Sequence, residues 1–326
     1  MKLLHIILIS LMLVGCIPAP TPLTPTPMTT KTQTEAVPPT LTKTTTPTST
    51  PDPVLVGAGD IAACDNSGDE ATANLLDGID GTVFTTGDNA YPNGTASEFA
   101  NCYDPSWGRH KARTYPSVGN HDYQTPNAAG YFSYFGPEAG KPTEGYYSYD
   151  LGAWHIIVLN SNISVDAGSA QEQWLRADLA AHPAVCTAAY WHHPRFSSGV
   201  VHGSSSSMQP LWQALYDYGA DVVLNGHEHN YERFAPQDPQ SNADPARGIR
   251  EFVVGMGGRS HYEFGTPIAN SEVRNSDTYG VLKLTLHPTS YTWEFIPEAG
   301  KTFTDSGTAL CVESENLTPV STVTPG

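Results

Sequence analysis

The sequence predicts an α/β layered domain with extra antiparallel strands toward its C-terminal end. Short apolar runs of 4–7 residues, rich in β-branched side chains, recur along the chain and each ends in Gly, Asp, Asn or His. That length suits buried strands better than helices. Helical patterns lie between several of these runs as far as about residue 225, after which strand patterns dominate. With 15% charged residues, 29 Gly and 27 Pro, the composition excludes a coiled coil or a helical bundle.

In order, the expected strands are Val54–Gly59, Thr82–Thr86, Tyr115–Val118, Trp154–Leu159, Thr187–Trp191, Asp221–Leu224 and Arg250–Val254. Helical patterns fall at Asp69–Gly78, Gln171–His182 and Met208–Tyr218; in the second, Trp174, Leu175 and Leu179 repeat at helical spacing. Tyr279–His287 and Ser290–Pro297 supply the closing strands, and no internal repeat is visible.

The ends read differently. Lys2 and the apolar run Leu3 to Val14 have the form of an export signal covering 1–15, too short for a membrane span of about 20 residues. Leu13-Val14-Gly15-Cys16 resembles a bacterial lipoprotein box, with Cys16 as the lipid attachment site. Of residues 17–53, 24 of 37 are Thr or Pro, so 16–53 reads as an extended tether. The expectation is a domain over 54–313, a short polar tail over 314–326, and a protein held outside a bacterial cytoplasm by its N-terminal lipid. The net charge of −17 resides on the domain, because the charges of the two ends cancel. Such a surface repels phosphate backbones and argues against nucleic acid as a partner.

After Cys16 an even set remains, Cys64, Cys102, Cys186 and Cys311, which suits disulfides in an oxidising compartment. Four cysteines allow three pairings. Cys64 and Cys102 both follow strand-plus-loop segments, whereas Cys186 opens an apolar run and Cys311 closes the domain, which favours Cys64–Cys102 and Cys186–Cys311.

Polar clusters follow five of the apolar runs: Gly59-Asp60, Gly87-Asp88-Asn89-Ala90-Tyr91, Gly119-Asn120-His121-Asp122, His192-His193 and Gly226-His227-Glu228-His229. Ligand sites of open α/β sheets lie at the carboxyl ends of strands, so five such clusters in order point to one site. Carboxylate, imidazole, amide and phenol without thiolate select a borderline or hard cation. Asp60, Asp88, Tyr91, Asn120, His192, His227 and His229 are too many for one four-coordinate ion and suit two ions that share a carboxylate.

This series of GD, GDxxY, GNHD, His and GHxH motifs resembles the metallophosphoesterase superfamily, and within it the purple acid phosphatases, over essentially all of 54–313. Many metallophosphoesterases carry a first-motif His where Ala62 stands here. Purple acid phosphatases place a Tyr three residues after the second-motif Asp, as Tyr91 stands, and Gly226 to Arg233 is similar to their GHxHxYER signature. The resemblance implies a β-sandwich of two mixed sheets flanked by helices. It implies that Asp60, Asp88, Tyr91 and His229 hold Fe(III), that Asp88 bridges, and that Asn120, His192 and His227 hold Zn, Mn or Fe in the divalent state. His192 rather than His193 aligns with the family ligand, and His193 is expected to point away.

His121 resembles the family's His beside the metals, and His202 matches the His that protonates the leaving alkoxide. Asp122 is expected to orient a neighbouring ligand. The implied activity is hydrolysis of small phosphate monoesters by hydroxide activated at a binuclear centre. The alternatives are a phosphodiesterase or nucleotidase on the same centre and, more weakly, an inactive surface binding module. No GxSxG elbow and no GxxxxGK[ST] loop is present, so serine-hydrolase and P-loop chemistry are excluded, and Gly255–Gly258 reads as a turn after a strand.

Overall fold

The computed structural model describes residues 51–312. The signal segment 1–15, Cys16, residues 16–50 of the tether and the tail lie outside the described residues. No helix among the described residues is long and apolar enough to cross a membrane.

The chain opens with β1 (Val54–Ala58), α1 (Gly68–Leu76), β2 (Thr82–Thr86), α2 (Ala96–Glu98) and β3 (Thr114–Ser117). Next come α3 (Ala129–Phe135), β4 (Tyr147–Leu151), β5 (Trp154–Val158), α4 (Ala170–Ala181), β6 (Cys186–Tyr190), α5 (Gln209–Asp217) and β7 (Val222–Asn225). β8 (Tyr231–Phe234), β9 (Arg250–Val254), β10 (Ser271–Asn275), β11 (Gly280–His287), β12 (Ser290–Pro297) and β13 (Ser306–Leu310) are strands throughout.

Two mixed sheets result, one ordered β13-β12-β11-β1-β2-β3 and the other β10-β8-β9-β7-β6-β5-β4. β1, β2 and β3 run parallel, as do β5, β6, β7 and β9. Side chains of a strand alternate between faces, and the buried pairs here sort accordingly. Leu55, Phe84, Ile156, Ala188, Val222, Phe252 and Leu284 share the core between the sheets. Their neighbours Val56 and Val83 pack outward against Ala73 and Leu76 of α1. On the far side Ile157, Ala189, Val223 and Val253 meet Leu175 and Leu179 of α4 and Leu211, Trp212 and Leu215 of α5. A parallel sheet buried on both faces needs near-continuous apolar strands, which is why these short runs were conspicuous.

α4 starts where Ser169 accepts a hydrogen bond from the Glu172 amide, at 3.2 Å, and its last residue is Ala181 before the capping His182, so each end lies one residue from the expected bounds. The structure adds four strands that the sequence reading did not contain, β4, β8, β10 and β13, together with the short helices between β2 and β4. β10 and β13 are polar edge strands, and β4 alternates Tyr with Ser and Asp on the opposite edge. Their pairing comes from a neighbouring strand rather than from an apolar run of their own. Disulfides join Cys64 to Cys102 and Cys186 to Cys311, the latter tying the start of β6 to the end of the described chain.

Candidate metal centre

The five clusters sit at the carboxyl ends of β1, β2 and β3 in one sheet and of β6 and β7 in the other, so the site straddles the edge where both sheets end. Asp60, Asp88 and His227 hold left-handed backbone, with φ of 58°, 52° and 71°. Non-glycine residues carry such strain where the surrounding structure over-determines it, commonly at functional sites.

Around Asp60 the Tyr91 hydroxyl lies 2.9 Å from Asp60 Oδ1, 3.0 Å from Asp88 Oδ2 and 3.1 Å from His229 Nε2. Beside it, His192 Nε2 lies 2.9 Å from Asn120 Oδ1, 3.1 Å from His227 Nδ1 and 3.3 Å from Asp88 Oδ2. All seven residues predicted to be ligands are therefore brought together. Asp88 Oδ2 is the atom within reach of both groups.

Lone pairs dominate this centre. His192 Nδ1 donates to the Thr86 carbonyl at 2.8 Å, which leaves its Nε2 as the open lone pair. His229 Nδ1 is satisfied by Ser260 Oγ at 2.7 Å, which likewise turns Nε2 toward Tyr91 and Asp60. Two carboxylates, an amide oxygen, three imidazole nitrogens and a phenol converge with a single phenolic proton among the facing oxygens. Crowded acceptors of that kind are stabilised by cations, and two clusters sharing one carboxylate are consistent with a binuclear centre. Ligand atoms of Asp60, Asp88 and His192 all lie within 4.8 Å of one another.

Electrostatics agree. Burial pushes the Tyr91 phenol well above its ordinary value, and Asp60 and Asp88 push it further, so phenolate forms only with positive charge beside it. Burial and then the neighbouring histidines lower His227 far below the usual imidazole range, keeping it neutral and able to ligate.

The residues around this core are also placed. His121 Nδ1 donates to the Pro92 carbonyl at 2.7 Å, and its Nε2 stands 4.0 Å from Asp88 Oδ2. His202 is exposed and stacks on the His227 ring with centroids 3.9 Å apart. Asp122 accepts from the Gly119 amide at 2.9 Å and from the Asn89 amide and side chain, so it ties the loops bearing Asp88 and Asn120 together. His193 differs from expectation: its Nδ1 reaches Ser161 Oγ at 2.7 Å, but its ring packs 4.3 Å from that of His227 instead of pointing away. The adjacent backbone turns after β6, so strand alternation no longer separates the two histidines.

Three contributors escaped the sequence reading. Ser260 orients His229, Tyr262 stacks on His229 at 3.9 Å and 8°, and the Arg259 guanidinium lies 5.2 Å over the Tyr91 ring. All follow Gly255–Gly258, which does turn after β9 but also threads beneath Asp60, with the Arg259 amide donating to the Asp60 carbonyl at 2.9 Å. The signal was available, since this turn also leaves the carboxyl end of a strand.

A family model described as calcineurin-like phosphoesterase matches residues 53–231. "Purple acid phosphatase 15" of Arabidopsis thaliana is 30% identical over 236 residues, covering 61% of this chain and 44% of that protein. A "Nucleotide pyrophosphatase/phosphodiesterase" of Hordeum vulgare is 29% identical over 266 residues, covering 66% of this chain and 68% of its own length. The match thus spans under half of the Arabidopsis relative. A purple acid phosphatase from yellow lupin (Lupinus luteus) seeds superposes with a TM-score of 0.68 at 20% identity, over 84% of this chain and 57% of that one. Matching motifs, two mixed sheets and one convergent centre leave a single conclusion: the chain belongs to the calcineurin-like phosphoesterase family and is purple acid phosphatase-like in sequence and fold.

Proposed function

We propose that the protein is an exported hydrolase of small phosphate monoesters that works through a binuclear metal centre. The observation that carries this reading is the Tyr91 hydroxyl within 3.1 Å of Asp60, Asp88 and His229, a phenol where a charge-dense cation would sit. Asp60, Asp88, Tyr91 and His229 would hold Fe(III). Asn120, His192 and His227 would hold divalent Zn, Mn or Fe, with Asp88 shared. When bound, such a pair supplies Lewis-acid charge for the phosphoryl oxygens and acidity for the attacking water.

The chain's own groups do the rest. His121, with Nδ1 engaged by the Pro92 carbonyl, presents Nε2 to a phosphate oxygen or to the attacking water. His202, at the exposed rim above His227, delivers a proton to the departing alkoxide, a contribution of about 10²–10⁴-fold for a well-placed acid. A phosphodiesterase reading on the same residues is favoured by the barley relative and differs only in the ester accepted. Metal analysis of purified protein with a monoester and diester activity profile tests both. Absence of bound metal, or failure to hydrolyse either ester class, overturns the reading. A diester preference moves it to the alternative.

Export rests on Lys2, the Leu3 to Val14 run and the box ending at Cys16. Labelling by a palmitate analogue that survives in Cys16→Ser would contradict lipid attachment at that residue.

A further inference from the structure

Glu228, the residue between His227 and His229, has no part in the ligand set, yet its side chain is fully buried. Its Oε1 accepts two short hydrogen bonds, from the backbone amides of His202 at 2.6 Å and Gly203 at 2.5 Å. These amides form the tip of the segment after β6. The base of that segment is fastened elsewhere: the Ser198 amide donates to Glu232 at 2.8 Å, and its carbonyl accepts from the Gly265 amide at 2.9 Å. The tip carries the His202 imidazole, which is exposed and makes ring contacts with His227 and Tyr262. Gly199 lies against the same carboxylate, where a Cβ would approach Glu228 Cδ to 2.2 Å. The loop is thus shaped around one carboxyl group.

We propose that Glu228 is a positioning residue for His202, its carboxylate fixing the loop tip that bears the proton donor to the short segment that bears two metal ligands. Charge-assisted hydrogen bonds to a buried carboxylate are among the stronger fixed points a loop can have. The arrangement makes the distance between the proton donor and the metal centre a property of three consecutive residues, 227 to 229, instead of a flexible loop. The inference rests on the reading of His202 as the leaving-group acid.

The test compares an alkyl phosphate, whose alkoxide must be protonated to leave, with p-nitrophenyl phosphate, whose phenolate leaves unaided. His202→Ala should lower kcat on the alkyl ester by about 10²-fold or more, with a much smaller loss on the nitrophenyl ester. Glu228→Ala should reproduce that selective loss in kcat, with KM and bound metal unchanged. A misplacement of about 1 Å suffices for a loss on the order of 10²-fold. Glu228→Gln, which keeps a carbonyl oxygen for the two amides, should restore most of it. In a His202→Ala background the Glu228→Ala change should add no further selectivity. Gly199→Ala pushes on the same carboxylate from the loop side with no substitution in residues 227 to 229, and should give the same selective loss even if Glu228→Ala fails to fold. Equal losses on both esters, or selectivity that persists without His202, overturn the positioning role. If His202→Ala shows no selectivity while metal and aryl-ester activity are intact, the reading of His202 has failed and the inference falls with it.

Discussion

Replacing Ser260 with Ala should weaken one metal ion and spare the other. Ser260 Oγ is 2.7 Å from His229 Nδ1, and this bond fixes the ring so that Nε2 faces Tyr91 and Asp60; with Ser260 Oγ as acceptor, the ring proton sits on Nδ1 and Nε2 is free to ligate. Removing an outer partner of a ligating histidine typically costs 10–100-fold in metal affinity, about 1.4–2.7 kcal/mol. A net hydrogen bond is worth about 1 kcal/mol, which points to the lower part of that range. The Tyr262 ring lies nearly parallel to that of His229, at 8° and 3.9 Å, and survives the substitution as a second constraint on ring orientation. The expected loss is therefore about tenfold in the ion held with His229. The ion that Asn120, His192 and His227 would hold is the internal control, because His192 is oriented by the Thr86 carbonyl, which the substitution does not touch. Chelator competition read by metal analysis, supported by calorimetry, measures both constants. Equal weakening of the two ions, or no weakening of either, refutes the assignment of Ser260 to His229 and of His229 to a separate ion.

Tyr91→Phe should abolish visible charge-transfer absorption and loosen the Fe(III) ion while the second ion is retained; colourless active protein containing only zinc or manganese would contradict the phenolate assignment. Serine replacement of Cys186 and Cys311 should lower stability in urea unfolding by about 5 kcal/mol, against about 4 for Cys64 and Cys102, because the loops closed span 125 and 38 residues. A larger loss at the shorter loop would show that chain entropy does not govern these bonds. Away from the centre, His155 lies 2.8 Å from Asp178 and 2.9 Å from Asp150. Burial lowers its imidazole, but the two carboxylates outweigh burial and raise it above its ordinary value. A raised folded-state value means the stabilisation is full below about pH 6.5 and is lost as pH climbs through the folded value. His155→Leu should thus cost about 3 kcal/mol at pH 6 and distinctly less at pH 9, and a pH-independent loss in thermal or urea unfolding would refute the ion-pair account.

Legibility in the sequence followed burial. β1, β2, β5, β6, β7 and β9 lie inside the sheets, and their apolar runs announced both strand and strand end. The ligand clusters were legible for the same reason: each begins where an apolar run stops. β8 was hidden because its Tyr231, Glu232 and Arg233 belong to a motif read for chemistry, although Tyr231 packs in the core and Arg233 pairs with Asp305 at 2.7 Å. What could not be read were partners without a residue signature. The Thr86 carbonyl that orients His192 is a backbone atom, and Ser260 is one serine among many. Glu228 occupies the variable place of the GHxH motif, where only the folded loop shows what it holds.

The motif glycines carry a further physical meaning that spacing alone does not give. Read as sequence, they mark turns at strand ends, and Gly87, at a φ of 89°, fits that role. Gly119 and Gly226 have ordinary backbone, and their constraint is space. A Cβ on Gly119 would lie 2.0 Å from Asp88 Oδ1, and one on Gly226 would lie 2.6 Å from Asp60 Oδ2. Each of these glycines therefore belongs to one motif and makes room for the carboxylate of another. The paired change at Ala62 and Tyr91 obeys the same logic. The Tyr91 amide donates to the Ala62 carbonyl at 2.8 Å, so the position that lacks an imidazole is hydrogen-bonded to the position that supplies a phenol. These motifs are therefore interlocked in space: a side chain at Gly119 should displace the Asp88 carboxylate, and one at Gly226 the Asp60 carboxylate.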